Sequence, residues 1–144
     1  MSLFSALSVS ASGMAAQRTR AELLVENLAN AETTRTPEGG PYRRKDVVFE
    51  AQAAPAFSSV LESHLGTAPG GVAVSDIVVD DREPERRYLP GHPDADADGY
   101  VSFPRINPAE DMVDLLSAQR GYEANVSAIA AVKDMIQRSL DLLR

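Results

Sequence analysis

The sequence predicts a mainly α fold: long N- and C-terminal helices pairing as a coiled-coil-like hairpin, with a small β-rich middle segment. Three observations predict it. Residues 1–31 contain no proline and repeat apolar side chains every seven positions. Residues 107–144 do the same after a strong helix start. Residues 32–106 hold every proline except Pro108, with short β-branched runs between the breaks. These boundaries divide the chain into an N-terminal helix, a β-rich or irregular middle and a C-terminal helix.

The first helix runs from about Ser2 to Ala31. Leu7, Met14, Ala21 and Leu28 recur every seven residues, and Leu3, Ser10, Gln17, Leu24 and Ala31 lie four positions before them. Together they trace a seam that Ser10 and Gln17 weaken. At about 1.5 Å per residue the helix spans roughly 45 Å. Thr33, Thr34 and Pro37 end the pattern.

Strand candidates in the middle are Val47–Phe49, Val72–Val79 and Tyr100–Phe103, and Phe57–Leu65 is a short helix or an irregular connection. The last helix starts at Asn107, an N-cap, followed by Pro108 at the favoured first position, with Glu110 placed to close a capping box. Glu110, Asp111 and Asp114 near its start and Arg138 near its end complement the helix dipole. Leu115, Tyr122, Ile129, Ile136 and Leu143 form one heptad row; Met112, Gln119, Val126, Lys133 and Leu140 form its companion. Gly121 interrupts this helix at a cost of about 1 kcal/mol relative to alanine. Close approach of another helix explains it, and so does a tolerated defect. Two thin helices cannot hide both apolar faces alone, so residual surface should seek other subunits.

Composition excludes several functions. A net charge of −7 disfavours nucleic-acid binding, and the clusters Arg43-Arg44-Lys45 and Arg86-Arg87 are short and sit among acids. No apolar run is long enough to insert in a membrane. No basic segment precedes an apolar stretch, since Arg18 is the first basic side chain, so a cleavable secretory signal is not expected. The absence of cysteine removes disulfides, thiolate metal sites and cysteine nucleophiles.

Catalytic chemistry is equally thin. Asp94, Asp96, Asp98 and Gly99 match the opening of a calcium loop, but Arg105 stands where its bidentate glutamate belongs, so an aspartate-rich surface turn is expected, with a weak or partner-completed calcium site as the alternative. His64 has no acid three or four residues away to pair with it on a helix, and His92 lies between prolines in a turn. No nucleophile elbow, phosphate loop or zinc-binding helix motif occurs. Neither an enzyme nor a cofactor is expected.

The segment Asn27-Leu28-Ala29-Asn30-Ala31-Glu32-Thr33-Thr34 resembles the N-terminal signature of flagellar rod and hook proteins. Physically, asparagines three apart share a helix face and can hydrogen-bond backbone where the helix ends. Gly39-Gly40-Pro41-Tyr42-Arg43-Arg44-Lys45, the stretch His92 to Val101 and the stretch Met112 to Val126 are similar to segments of the proximal-rod members of that family. Only about Ala51 to Pro90 lacks a recognisable motif. The resemblance implies a structural subunit of the periplasmic rod of the flagellar basal body, exported by the flagellar type III apparatus. It implies as partners other copies of the chain, the other proximal-rod proteins and the rod adapter near the export gate. Seam and signature together assign assembly contacts to Leu7, Met14, Leu24, Asn27, Leu28, Asn30, Leu115, Tyr122, Asn125, Val126, Ile129, Ile136 and Leu140. An adaptor whose helical hairpin binds a different partner is the alternative; it would form small closed complexes where a rod subunit forms or joins filaments.

Overall fold

The computed structural model describes residues 3–52 and 70–142. Helix α1 spans Leu3–Ala29, strand β1 Lys45–Ala51, β2 Val72–Val79, β3 Glu85–Tyr88, β4 Tyr100–Phe103, and helix α2 Pro108–Asp141. The candidate element Phe57–Leu65, with His64, lies outside the described residues.

Helix α2 begins as expected, with one exception, and α1 ends earlier than expected. The Asn107 side chain accepts from the Ala109 N–H at 3.2 Å, satisfying one of the free donors of the first turn. Pro108 follows at the helix start, where its missing N–H costs nothing. Glu110 does not close the capping box; its side chain lines a polar surface depression with Arg44, Arg82 and Arg105. At the exit of α1 the chain turns at Asn30–Glu32, two residues earlier than the proline-free stretch suggested: Asn30 N is shared between Glu26 O and Asn27 O, and Ala31 N and Thr33 N then reach only three residues back.

The helices run antiparallel. Arg20 near the end of α1 pairs with Asp114 at the start of α2 at 3.2 Å, Gln17 faces Gly121, and Gly13 faces Asn125. The middle forms two separate two-stranded antiparallel ribbons, β1–β2 and β3–β4. In the first, Val48 pairs with Asp76 and Phe49 with Val74, leaving Ser75 as an extra residue whose hydroxyl donates to Val48 O. β1 and β2 both lie against α1.

β3 was not expected, since Glu-Arg-Arg-Tyr reads as a charged cluster. The ribbon turns those charges into packing groups. Arg86 lies over the Tyr100 ring at 5.1 Å and Arg87 over the Phe103 ring at 4.9 Å, and each guanidinium also pairs with an acid, Asp96 and Glu85. Tyr88 and Tyr100 meet edge to face across the same ribbon. The apolar core is small: Leu23, Leu24 and Ala16 of α1, Ala118 and Val132 of α2, and Tyr42, Val101 and Phe103 of the middle.

Candidate assembly surfaces

Asn27 ties the end of α1 to the start of β1. Its side chain is fully buried. The amide donates to Lys45 O at 2.8 Å and its Oδ1 accepts from Lys45 N at 3.0 Å, so one side chain satisfies both backbone groups of Lys45 as a strand neighbour would. Tyr42 Oη donates to the same Oδ1 at 3.0 Å. Burial, with Glu26 nearby, pushes the Tyr42 hydroxyl up to about 12, which keeps it protonated and donating. Asn30 acts one turn on: it donates to Glu26 O at 2.9 Å and accepts from the Thr33 hydroxyl.

The opposite junction is electrostatic. Asp111, in the first turn of α2, has a fully buried side chain with Arg44 Nη1 3.0 Å from its Oδ1. The approach is close enough for charge attraction but not aligned for hydrogen bonding, and both carboxylate oxygens lack a donor. Burial outweighs Arg44 and raises the Asp111 carboxyl above the usual range. Asp111, expected to serve the helix dipole on the surface, is therefore a core residue.

The seam between the helices is only partly the one that periodicity suggested. On α1, Leu24 and Ser10 are buried and Leu7, Met14, Gln17, Ala21 and Leu28 half-buried, so both rows face inward. On α2 the row Leu115, Ile129 and Ile136 is half-buried, with Tyr122 more open. Its inward companion is Asp111, Ala118, Asn125 and Val132. Met112, Val126 and Leu140 of the expected companion row point outward, Met112 being 56% and Leu140 59% exposed. The inward row is small because the helices approach closely. A Cβ added at Gly13 would stand 3.0 Å from Asn125 Oδ1, and one at Gly121 3.2 Å from Gln17 Cδ. Gly121 was the sequence signal for this, one turn from both Ala118 and Asn125.

Met112, Val113, Leu116, Val126 and Leu140 of α2 are all exposed, with Leu116 at 55%. Val48, Phe49, Ile77, Val78 and Val79 are exposed on the β1–β2 ribbon. The aspartate-rich turn is occupied by its own fold: Asp96 Oδ1 accepts from the N–H groups of Asp98 and Tyr100, Gly99 adopts a φ of 82°, and Asp94 accepts from the Thr34 hydroxyl. Among the described residues no group of acidic or histidine side chains is arranged to hold a metal. Nor, among them, is any helix long and apolar enough to cross a membrane.

Comparison with known proteins agrees with this architecture. Residues 97–142 match the family model described as the flagellar basal body rod FlgEFG protein C-terminal region. The chain is 44% identical to the flagellar basal-body rod protein FlgC of Bacillus subtilis (strain 168), covering 99% of each chain. It is 38% identical to FlgC of Borreliella burgdorferi over 100% of this chain and 99% of the relative. With FlgC of Salmonella typhimurium the identity is 40% over 99% and 98%. Identity at this level from end to end places both helices and both ribbons in one family: the chain belongs to the FlgC family of flagellar basal-body rod proteins and is a structural subunit of the proximal rod, not an enzyme.

Proposed function

We propose that the chain joins other copies of itself and the other proximal-rod proteins through its helix pair, with the rod adapter near the export gate as a neighbour. It reaches that site through the flagellar type III export apparatus. In this reading α1 and α2 act as the axial unit and residues 32–106 as a lateral module. Leu7, Met14, Leu28, Leu115, Ile129 and Ile136 hold the pair and border neighbouring helices. Tyr122, Val126 and Leu140 face those neighbours directly. Leu24, Asn27, Asn30 and Asn125 set the shape that is presented.

One observation carries the reading: the exposed apolar cluster Met112, Val113 and Leu116 on the first turns of α2, a helix that already contacts α1 along another side. Leu116→Asp should therefore leave the chain folded and exported but absent from isolated basal bodies, read by immunoblot of both fractions. Incorporation at the wild-type level would refute the cluster as an assembly surface.

A further inference from the structure

We propose that the pocket beside the end of α1 receives Phe4 from a second copy of this chain, so that copies join head to tail. The pocket has a volume of about 230 Å³. Leu23, Leu24, Val47 and Phe49 give it an apolar lining, and Arg20 and Asp114 stand among the charged groups around it. An apolar floor inside a polar rim is the arrangement of an interface anchor site, where surrounding charges exclude water from a buried ring.

The molecule supplies a matching knob. Phe4 is 77% exposed in the first turn of α1, with Leu3 open beside it. Residues 3–17 carry no charged side chain, so the approaching helix brings no charge to desolvate. The first turn of α1 also holds no acidic residue to offset its free N–H groups. The charged lining is balanced, Asp46 and Asp114 against Arg20 and Lys45, so it sets no net positive charge against that end.

Knob and pocket cannot meet within one chain. Phe4 and Leu24 lie on the same continuous helix, twenty residues apart or about 30 Å. Each copy thus presents a filled-in half at one end and an empty half at the other. Contacts of this kind are heterologous: the rotation between copies decides whether they close into a ring or propagate as an open filament.

The proposal rests on the reading that copies of the chain assemble, and the tests separate the two. Purified full-length protein should show concentration-dependent association in sedimentation velocity. Phe4→Ala should weaken it about tenfold or more, as expected for losing one buried aromatic anchor, with an unchanged helical circular dichroism spectrum. Because the chain has no cysteine, Leu3→Cys and Asp46→Cys chains, which keep the Phe4 ring and the apolar lining, provide a second test. Mixed, they should form a disulfide-linked heterodimer under mild oxidation much faster than either variant links to itself. Wild-type protein that stays monomeric at every concentration overturns the proposal. So does Phe4→Ala that associates as wild type, or Leu3→Cys that links to itself as fast as the mixture does, the mark of a symmetric contact. If Leu116→Asp is excluded from basal bodies while Phe4→Ala joins and associates normally, the cluster stands and the pocket contact falls.

Discussion

Two buried polar residues set the sharpest expectations for single side chains. Asn27→Ala removes three hydrogen bonds and leaves the Lys45 N–H and C=O without partners in a site that excludes water. That should cost about 2–3 kcal/mol, read as a lowered denaturation midpoint, and should speed hydrogen exchange at the Lys45 amide. Tyr42→Phe, which breaks only one of the three, should cost about 1 kcal/mol. Asp111 acts in the opposite sense. Its carboxyl titrates above the ordinary range in the folded chain, so the folded state holds that proton more tightly than the unfolded state does. Stability should then rise as pH falls from neutral through the raised value and level off below the unfolded value of about 3.9. Asp80, held at about 2 by its hydrogen bonds to Arg82, contributes stability that is lost as pH falls from the unfolded value towards 2. Melting profiles should therefore climb towards about pH 4 and decline below it, and Asp111→Asn should flatten the upper limb alone. An unchanged upper limb in Asp111→Asn would show that burial of this carboxylate is not its source.

At the scale of elements, the two glycines separate by how freely their neighbours can move. Asn125 is held in place by donating to Gly121 O at 2.8 Å, whereas the longer Gln17 side chain has a buried Oε1 that no hydrogen bond holds in place. Gly13→Ala should therefore cost about 1–3 kcal/mol by overpacking. Gly121→Ala should lie within about 1 kcal/mol of wild type, its helix-propensity gain offset by displacing Gln17. Adding Asn125→Ala should recover part of the Gly13→Ala loss, which a double-mutant cycle in thermal unfolding would show. The same region shows what the sequence could reveal. Both helices, the start signal of α2 and the strands β1, β2 and β4 were legible because each rests on local chemistry: proline placement, an N-cap, β-branched runs. The inward companion row of α2 was not, since periodicity weights large apolar residues, and here the large ones face out while alanine, asparagine and aspartate face in. β3 was hidden because its arginines gain their packing partners only after β4 pairs beside them. Asp111 and Arg44 were each visible as charges, but their meeting joins segments 67 positions apart.

At the scale of the molecule, few residues hold the helix pair, and most of the last turns of α2 are exposed. In a verified monomer, hydrogen exchange should find α2 beyond Val132 weakly protected and the Asn27–Lys45 junction among the slowest sites. Uniform high protection would contradict this. Ile129, half-buried on the inward row, should not accept a charge: Ile129→Asp should be exported yet give cells without hook or filament, while Glu123→Gln, exposed and bonded only to Gln119, should swim normally. Both need equal protein levels by immunoblot. The paired glycines bear finally on how such a subunit withstands twisting. Each helix has a notch, and each notch is occupied by an amide side chain from the other, Asn125 against Gly13 and Gln17 against Gly121. Sliding either helix lengthwise would drive those amides onto side chains bulkier than glycine, so small axial displacements meet a steep wall instead of a smooth slope. Under load the pair behaves as meshed teeth: it resists creep until packing fails outright, which is the mechanical property a rotating shaft requires of its smallest part.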